Sequence, residues 1–101
     1  MRAATRPRFL LDLAEELSWL NEKAGAETAE RWYDALEATI EFVQQHPFIG
    51  RERRDLKPSG IRTWRIKGFA RWLIFYGVSK ENRVVFYRIR SATMNLVVLK
   101  M

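Results

Sequence analysis

The sequence has no cysteine and only one histidine, and these two shortages exclude several kinds of chemistry. Without cysteine the chain has no disulfide, no thiol nucleophile and no thiolate ligand for zinc. The histidine, His46, precedes Pro47 at the predicted end of a helix, which favours a structural role over acid–base catalysis. We therefore expect no metal site and no cofactor.

Long apolar runs, glycine and proline are also scarce. No run approaches the ~20 apolar residues that a membrane-spanning helix needs, and no secretory hydrophobic segment follows Met1. The five glycines and three prolines form neither a linker nor a glycine-rich phosphate loop. With 101 residues, 48% of them hydrophobic, the sequence predicts one domain over residues 1–101, cytoplasmic and without membrane association.

Acidic residues are scarce in the second half of the chain. Residues 1–50 contain five Lys or Arg and nine Asp or Glu, a net charge of −4, whereas residues 51–101 contain thirteen and three, a net charge of +10. Basic surfaces of this kind bind acidic partners such as nucleic acid, a nucleoprotein or an acidic peptide. The sequence therefore predicts that the second half carries the binding surface.

The first half of the chain has the periodicity of two helices. Apolar residues recur at helical spacing over residues 9–24 and again over residues 27–46. Gly25 lies between them, at a position typical of a left-handed helix C-cap, and so short a connection requires an antiparallel hairpin. The hairpin carboxylates are interpreted as a solvated face, and they are Asp12, Glu15, Glu16, Glu37 and Glu41.

The second half has the alternation and turn residues of β-strands. Strands are predicted at residues 61–67, 71–78 and 83–90, joined by turns short enough to make neighbours antiparallel, and residues 2–5 form a weaker first strand. Residues 51–57 are predicted to form a basic loop. The predicted fold class is α+β, with an N-terminal helical hairpin packed on a small, mostly antiparallel twisted sheet in the order β-α-α-β-β-β.

The predicted sheet has one covered face and one mixed face. The middle strand, residues 71–78, is apolar on both sides, which predicts that both are buried. The last strand alternates, so Tyr87 and Ile89 are expected on the face opposite Phe86 and Arg88. One face then packs on the hairpin, and the other combines aromatic and basic side chains.

Basic and aromatic side chains are interleaved on these strands. Arginine binds phosphates and carboxylates bidentately, and aromatic rings stack on bases or bury partner side chains. A single arginine on a strand is more often a solvated edge residue, but a set spread over adjacent strands indicates binding. The candidate residues for contact with a target or a protein partner are Arg62, Trp64, Arg65, Lys67, Arg71, Arg88 and Arg90.

The hairpin adds a second candidate surface. Its large aromatics, Trp19, Trp32 and Tyr33, are most often core residues, yet together they exceed what a two-helix core readily covers. They are therefore also candidates for contact with a partner. No pair of carboxylates stands out as a general acid beside an ionised base, so no catalytic residue is predicted.

Residues 47–76, PFIGRERRDLKPSGIRTWRIKGFARWLIFY, resemble the ParE branch of the RelE/ParE toxins of bacterial type II toxin–antitoxin modules. The matching positions form a long ordered run, comprising Pro47, Gly50, Arg51, Asp55, Leu56, Gly60, Ile61, Arg62, Trp64, Ile66, Lys67, Gly68, Phe69, Leu73, Ile74, Phe75 and Tyr76. Upstream, the pattern is also met at Asp12, Leu13, Ala29, Leu36 and Thr39. The resemblance extends over most of the chain.

The resemblance implies a toxin that a cognate antitoxin neutralises, with operator DNA bound only through the antitoxin. ParE-like members poison DNA gyrase without cleaving anything, whereas RelE-like members cleave mRNA on the ribosome with Lys, Arg, Tyr or His side chains. The strand residues would then contact the target or the antitoxin, and the hairpin aromatics would contact the antitoxin. Acidic antitoxin residues are expected to pair with Arg62, Arg65, Arg88 and Arg90.

The end of the chain departs from the family pattern. Arg88 and Ile89 match the start of the ParE-like run R-V-L-H-G, but Ser91 stands at the position of its histidine. Further on, Met94 and Asn95 replace the first two residues of the usual R-D-L. The missing histidine removes the best candidate general base for RNA cleavage. The hypotheses therefore rank as gyrase poison, then ribosome-dependent mRNA endoribonuclease, then inactive or regulatory binding module.

Overall fold

The computed structural model describes residues 3–91 and 101. In chain order its elements are β1 (Ala4–Thr5), α1 (Pro7–Ala24), α2 (Ala26–Gln45), β2 (Arg51–Glu52), β3 (Arg62–Ile66), β4 (Phe69–Val78) and β5 (Val84–Ser91). The predicted α+β order, a helical hairpin followed by strands, is confirmed. The altered family positions Met94 and Asn95 lie outside the described residues.

The two helices form the predicted hairpin with a single residue, Gly25, between them. Pro7 is the first residue of α1, where its missing N–H leaves no helical hydrogen bond unmade. α2 ends at Gln45, and the backbone N–H of the capping residue His46 donates to the carbonyls of Phe42 and Val43. Gly25 has φ +93° and ψ 160°, an extended conformation almost restricted to glycine, and not the predicted left-handed helical cap. Within the described residues, neither helix combines the length and apolar character needed to cross a membrane.

The described strands form one sheet in the order β1-β5-β4-β3-β2. Three pairs of neighbours are antiparallel, and β1 lies parallel to β5. The prediction of a mostly antiparallel sheet is therefore confirmed. Sequence reasoning assigned β2 to a loop, because its two residues, Arg51 and Glu52, are charged and exposed and show no strand periodicity.

Side chains from the hairpin and from one face of the sheet form the main core. Its largest buried members include Phe9 and Trp32 of the hairpin and Tyr76 and Phe86 of the sheet. The opposite face carries a smaller core, which consists of Leu56, Ile61 and Phe75. Burial on both faces of β4 confirms the prediction made from its apolar sequence.

The predicted alternation of β5 is wrong at Ile89, which is fully buried in the main core together with Phe86. The pairing of β4 with β5 shifts register in this region, and Tyr87 is left as an extra residue between the partners of Phe75 and Tyr76. Such a β-bulge reverses the face to which the following side chains point. Tyr87 accordingly packs against the smaller core. One extra residue leaves no signal in the periodicity of a single sequence.

Candidate functional site

A groove of about 1220 Å³, called here the edge groove, runs along the free edge of β3. β2 pairs with β3 through Arg51–Thr63 and Glu52–Arg62, so beyond Thr63 this edge has no neighbouring strand among the described residues. Helix α2 bounds one side of the groove, and the segment from Ile49 to Asp55 bounds the other. The lining residues are Ala38, Thr39, Phe42, Ile49, Arg51, Arg53, Asp55, Thr63, Trp64, Arg65, Lys67 and Leu73.

One wall of the edge groove is apolar and partly exposed. Phe42 of α2 and Trp64 of β3 stack with their ring centroids 6.1 Å apart and an angle of 20° between the ring planes. Phe42 and Ile49 on this wall are 40% and 42% exposed, and Phe48, which precedes Ile49 in the chain, is 58% exposed. The guanidinium of Arg62 lies over the Phe48 ring, 5.2 Å from its centroid. Exposed apolar side chains flanked by cations are typical of a protein-binding surface.

The remainder of the edge groove is basic. Arg53 donates from Nε and Nη2 to the two carboxylate oxygens of Asp55, over 2.9 and 2.6 Å. This hydrogen-bonded pair lowers the pKa of Asp55 and raises the pKa of Arg53 relative to their ordinary values. Arg51, Arg65 and Lys67 are exposed and have no ion pair within the described part of the chain. The groove therefore presents a net positive charge, with one carboxylate, Asp55, among four basic side chains.

In the part of the chain that the structure describes, the arrangement of side chains gives no support for metal binding. Within residues 3–91 and 101, no group of three or more His, Cys, Asp or Glu side chains lies close enough together to hold a metal ion. The carboxylate that lines the edge groove, Asp55, is already bonded to Arg53.

A buried tyrosine fixes the segment that leads into β2. Oη of Tyr76 accepts a hydrogen bond from the Gly50 N–H at 2.8 Å, and Arg62 Nη1 donates to the Gly50 carbonyl at 2.8 Å. A Cβ on Gly50 would lie 2.5 Å from Tyr76 Oη and 2.8 Å from the Thr63 carbonyl oxygen, so this close approach requires glycine. Burial raises the pKa of Tyr76, and the Gly50 hydrogen bond and Arg62 oppose that rise. Arg62, a predicted binding residue, is therefore largely engaged within the molecule.

A second group of arginines is buried between α1 and β5. Asp12 accepts hydrogen bonds from Arg88 Nε at 2.7 Å, from Arg88 Nη2 at 3.0 Å and from the Ile89 N–H at 3.0 Å. Arg90 Nη1 lies 3.6 Å from the same carboxylate. Asp12 is 4% exposed and Arg88 is 8% exposed. The interpretation of Asp12 as a solvated carboxylate is wrong, because its side of α1 lies over the basic end of β5.

The predicted strand residues thus occupy different places. Arg88 and Arg90 lie at the buried carboxylate, and Arg71 is exposed with its guanidinium 6.0 Å from the ring centroid of Trp72. Of the remaining four, Arg62 donates to the Gly50 carbonyl, and the structure brings Trp64, Arg65 and Lys67 together in the edge groove. Burial of Arg88 argues against its direct contact with a partner.

The three hairpin aromatics also differ in environment. Trp32 is fully buried in the main core, which removes it from the surface where a partner would bind. Trp19 is 46% exposed and meets Trp72 edge-on, with ring centroids 6.4 Å apart, while Tyr33 is half-buried. The indole N–H of Trp72 donates to Glu16 at 3.0 Å, so this second hairpin carboxylate also has a structural role.

Sequence reasoning missed the residues that α2 and its C-terminal loop contribute to the edge groove. Phe42 lies among the apolar residues of α2, and no local feature of the sequence indicates that its ring stacks on Trp64 instead of packing in the core. Phe48 and Ile49 follow Pro47 outside any helical or strand stripe. That isolated apolar pair beside a basic segment is the signal that could have identified an exposed binding surface.

Comparison with known proteins agrees with this architecture. Among solved structures, the chain is similar to a chain in a structure of the chromosomal ParDE TA system from P. aeruginosa. The TM-score is 0.72 and the sequence identity is 19%, and the match covers 90% of this chain and 95% of that chain. A search of curated protein sequences found no match. The family model of the ParE toxin of the type II toxin–antitoxin system, parDE, matches residues 4–96, which include every described strand and helix. The chain belongs to the ParE toxin family of type II toxin–antitoxin systems.

Proposed function

We propose that this protein acts as a toxin by binding DNA gyrase, without cleaving a substrate itself. A cognate antitoxin neutralises it by direct binding, and the pair contacts operator DNA only through the antitoxin. The edge groove supports this proposal, because it combines the exposed cations Arg51, Arg65 and Lys67 with the aromatic pair of Phe42 and Trp64.

The protonation behaviour of Asp55, which lines the groove, and of the buried Tyr76, which holds the Gly50 N–H, favours binding over proton-transfer chemistry. Arg53 holds Asp55 ionised by lowering its pKa, and burial holds Tyr76 protonated by raising its pKa. A general acid or base works best with a pKa near the working pH, and both shifts move away from it. A protein that acts by binding needs no such group.

The charge of the groove suits a target that contains DNA. Exposed arginine and lysine contact phosphate oxygens, and exposed aromatic rings contact either bases or apolar side chains. Gyrase engaged with its substrate presents both protein and DNA. One basic, aromatic groove is therefore chemically matched to the junction between the two.

Purified protein tests the proposal in a gyrase supercoiling assay. We expect inhibition of supercoiling or accumulation of the cleaved gyrase–DNA complex. The variant Arg65→Glu/Lys67→Glu should weaken the effect about tenfold or more, because two favourable charge contacts become repulsive. The matched control is Arg83→Glu, which reverses an exposed charge at the turn between β4 and β5, away from the groove. It should inhibit like the unmodified protein.

Expression in cells separates the alternatives. The proposal predicts growth arrest with filamentation and DNA-damage signalling while bulk mRNA stays intact. Codon-positioned mRNA cleavage on translating ribosomes, with gyrase unaffected, would replace it with the endoribonuclease hypothesis. The absence of both effects would leave a regulatory binding module as the function.

A further inference from the structure

The free edge of β3 exposes the backbone of Arg65. The Arg53 N–H donates to the Ile61 carbonyl at 2.7 Å, and the same ladder continues at the pair of Arg51 and Thr63. In an antiparallel ladder, alternate residues direct both backbone groups toward the same neighbouring strand. Arg65, which pairs with Leu73 and is the last β3 residue before the register with β4 shifts, still follows this alternation, so its N–H and C=O point away from β4 and into the edge groove.

The exposed part of the edge is closed at both ends. On one side, β2 ends at its pairing with Thr63. On the other, the Lys67 N–H donates to Oγ1 of Thr39 on α2 at 3.2 Å, and that hydroxyl donates to the Ala35 carbonyl at 2.7 Å. The gap centred on Arg65 has room for about three residues of extended chain at ~3.3 Å per residue.

The side chains around this gap specify a sequence pattern. Residues that face each other in a ladder point to the same side of the sheet, so a residue opposite Arg65 would lie beside the side chains of Arg51 and Arg65. The exposed Arg65 guanidinium donates from Nη1 to the Ala70 carbonyl and keeps its positive charge for an acidic residue at this position. The residues before and after it would point to the other side, where Phe42 and Trp64 stack. An extended segment with the order apolar, acidic, apolar therefore fits the gap.

We propose that an extended segment of the antitoxin joins the sheet at Arg65, with an acidic residue opposite Arg65 and an apolar residue on each side. This inference rests on the proposed function, since it specifies how the neutralising partner binds. The main-chain hydrogen bonds of the pair at Arg65 supply affinity and set the register of the added segment, and the side chains on its two sides supply specificity. A second copy of this chain fits poorly, because pairing two such edges would oppose two basic grooves.

Synthetic peptides can test the register of binding. The probe is acetyl-Asp-Ser-Val-Glu-Val-Ser-Asp-amide, titrated into the isotope-labelled full chain and followed by NMR. We expect the amide of Arg65 to shift and to exchange more slowly with solvent, together with shifts at Trp64. A matched peptide with lysine in place of the central glutamate should bind about tenfold more weakly or worse, because like charges then meet Arg65 and Arg51.

N-methylated peptides distinguish strand addition from simple charge attraction. Methylation of the central glutamate nitrogen removes the N–H that pairs with the Arg65 carbonyl and should abolish binding. Methylation of the flanking valine nitrogens should be tolerated, because those N–H groups point away from β3. Equal weakening by both modifications, peptide shifts confined to other surfaces, or no binding would overturn the proposal.

Arg65→Ala serves as the matched protein variant. It keeps the backbone groups and removes the charge, so it should weaken the acidic peptide and keep the contrast between the two methylated forms. Concentration-dependent self-association that shields the Arg65 amide would identify a second copy as the occupant and overturn the antitoxin assignment. Gyrase is not used in these experiments, so a failed gyrase assay and a failed peptide assay remain separate results.

Discussion

The arginines around Asp12 and the arginines of the edge groove lie on one sheet and differ in their surroundings. Arg88 is 8% exposed and shares the Asp12 carboxylate with Arg90. Arg51 and Arg65 lie at the opposite edge of the sheet, are exposed, and have no ion pair in the described part of the chain. The environment, and not the residue type, therefore decides whether an arginine stabilises the fold or is available to a partner.

The largest effect on stability is expected from Asp12→Ala. Removal of this carboxylate takes away the anion that the buried Arg88 and the half-buried Arg90 share, at a cost of about 3–5 kcal/mol in the free energy of unfolding. Urea denaturation measures this cost, with Glu15→Ala, an exposed carboxylate on the same helix, as control. Replacement of the pair by Asp12→Leu/Arg88→Met should recover much of the loss. Equal effects of the two alanine variants would mean that the buried group is not stabilising.

An intermediate effect is expected from Tyr76→Phe, which removes the acceptor of the buried Gly50 N–H. The unfulfilled N–H should cost about 1–3 kcal/mol in the free energy of unfolding. Burial raises the pKa of folded Tyr76, so the associated stability is full below the unfolded pKa of about 10 and is lost as pH rises through the folded pKa. Unfolding measured between about pH 8 and pH 11 should show this loss in the unmodified protein. An identical alkaline decline in Tyr76→Phe would assign the loss to other groups.

A smaller effect on stability is expected from Arg51→Glu/Arg65→Glu in the edge groove. Exposed side chains without ion pairs contribute little to folding, so the free energy of unfolding should change by no more than about 0.5 kcal/mol. Binding of the acidic peptide should nevertheless be lost. A loss of stability approaching that of Asp12→Ala would remove the contrast between the two arginine groups.

The smallest effect concerns the exposed pair of Arg53 and Asp55. Arg53 lowers the pKa of Asp55, mainly by hydrogen bonding, so the stabilisation is present above the unfolded pKa and is lost as pH falls through the lower folded pKa. Solvent screening keeps this contribution to stability slight. NMR titration of the Asp55 carboxylate should give a pKa below the ordinary 3.8, and Arg53→Gln should return it toward that value. An unchanged midpoint in Arg53→Gln would show that Arg53 is not the cause.

The parts of the fold predicted from sequence depend on local patterns. The helices follow from apolar spacing and from Gly25, and the strands β3, β4 and β5 follow from alternation and turn residues. The short strand β2 and the bulge at Tyr87 were not predicted, because each depends on a partner strand and has no periodicity of its own.

The candidate site was predictable in chemistry and only partly in position. Basic strand residues next to aromatics indicated binding, and Trp64, Arg65 and Lys67 do line the edge groove. Arg88 has the same local context, but its partner, Asp12, is 76 positions away in the sequence. A single sequence contains no local record of a contact at that distance, so buried and exposed arginines could not be told apart.

The parallel pairing of β1 with β5 also determines when the sheet can be completed during synthesis. Ala4 and Thr5 of β1 pair with Val85 and Phe86 of β5. β1 therefore cannot join the sheet until β5 has been synthesised. During synthesis the hairpin leaves the ribosome well before the strands that cover its apolar side. A nascent chain is therefore expected to lack a completed sheet until β5 has emerged, and the apolar side of its hairpin stays uncovered during that interval.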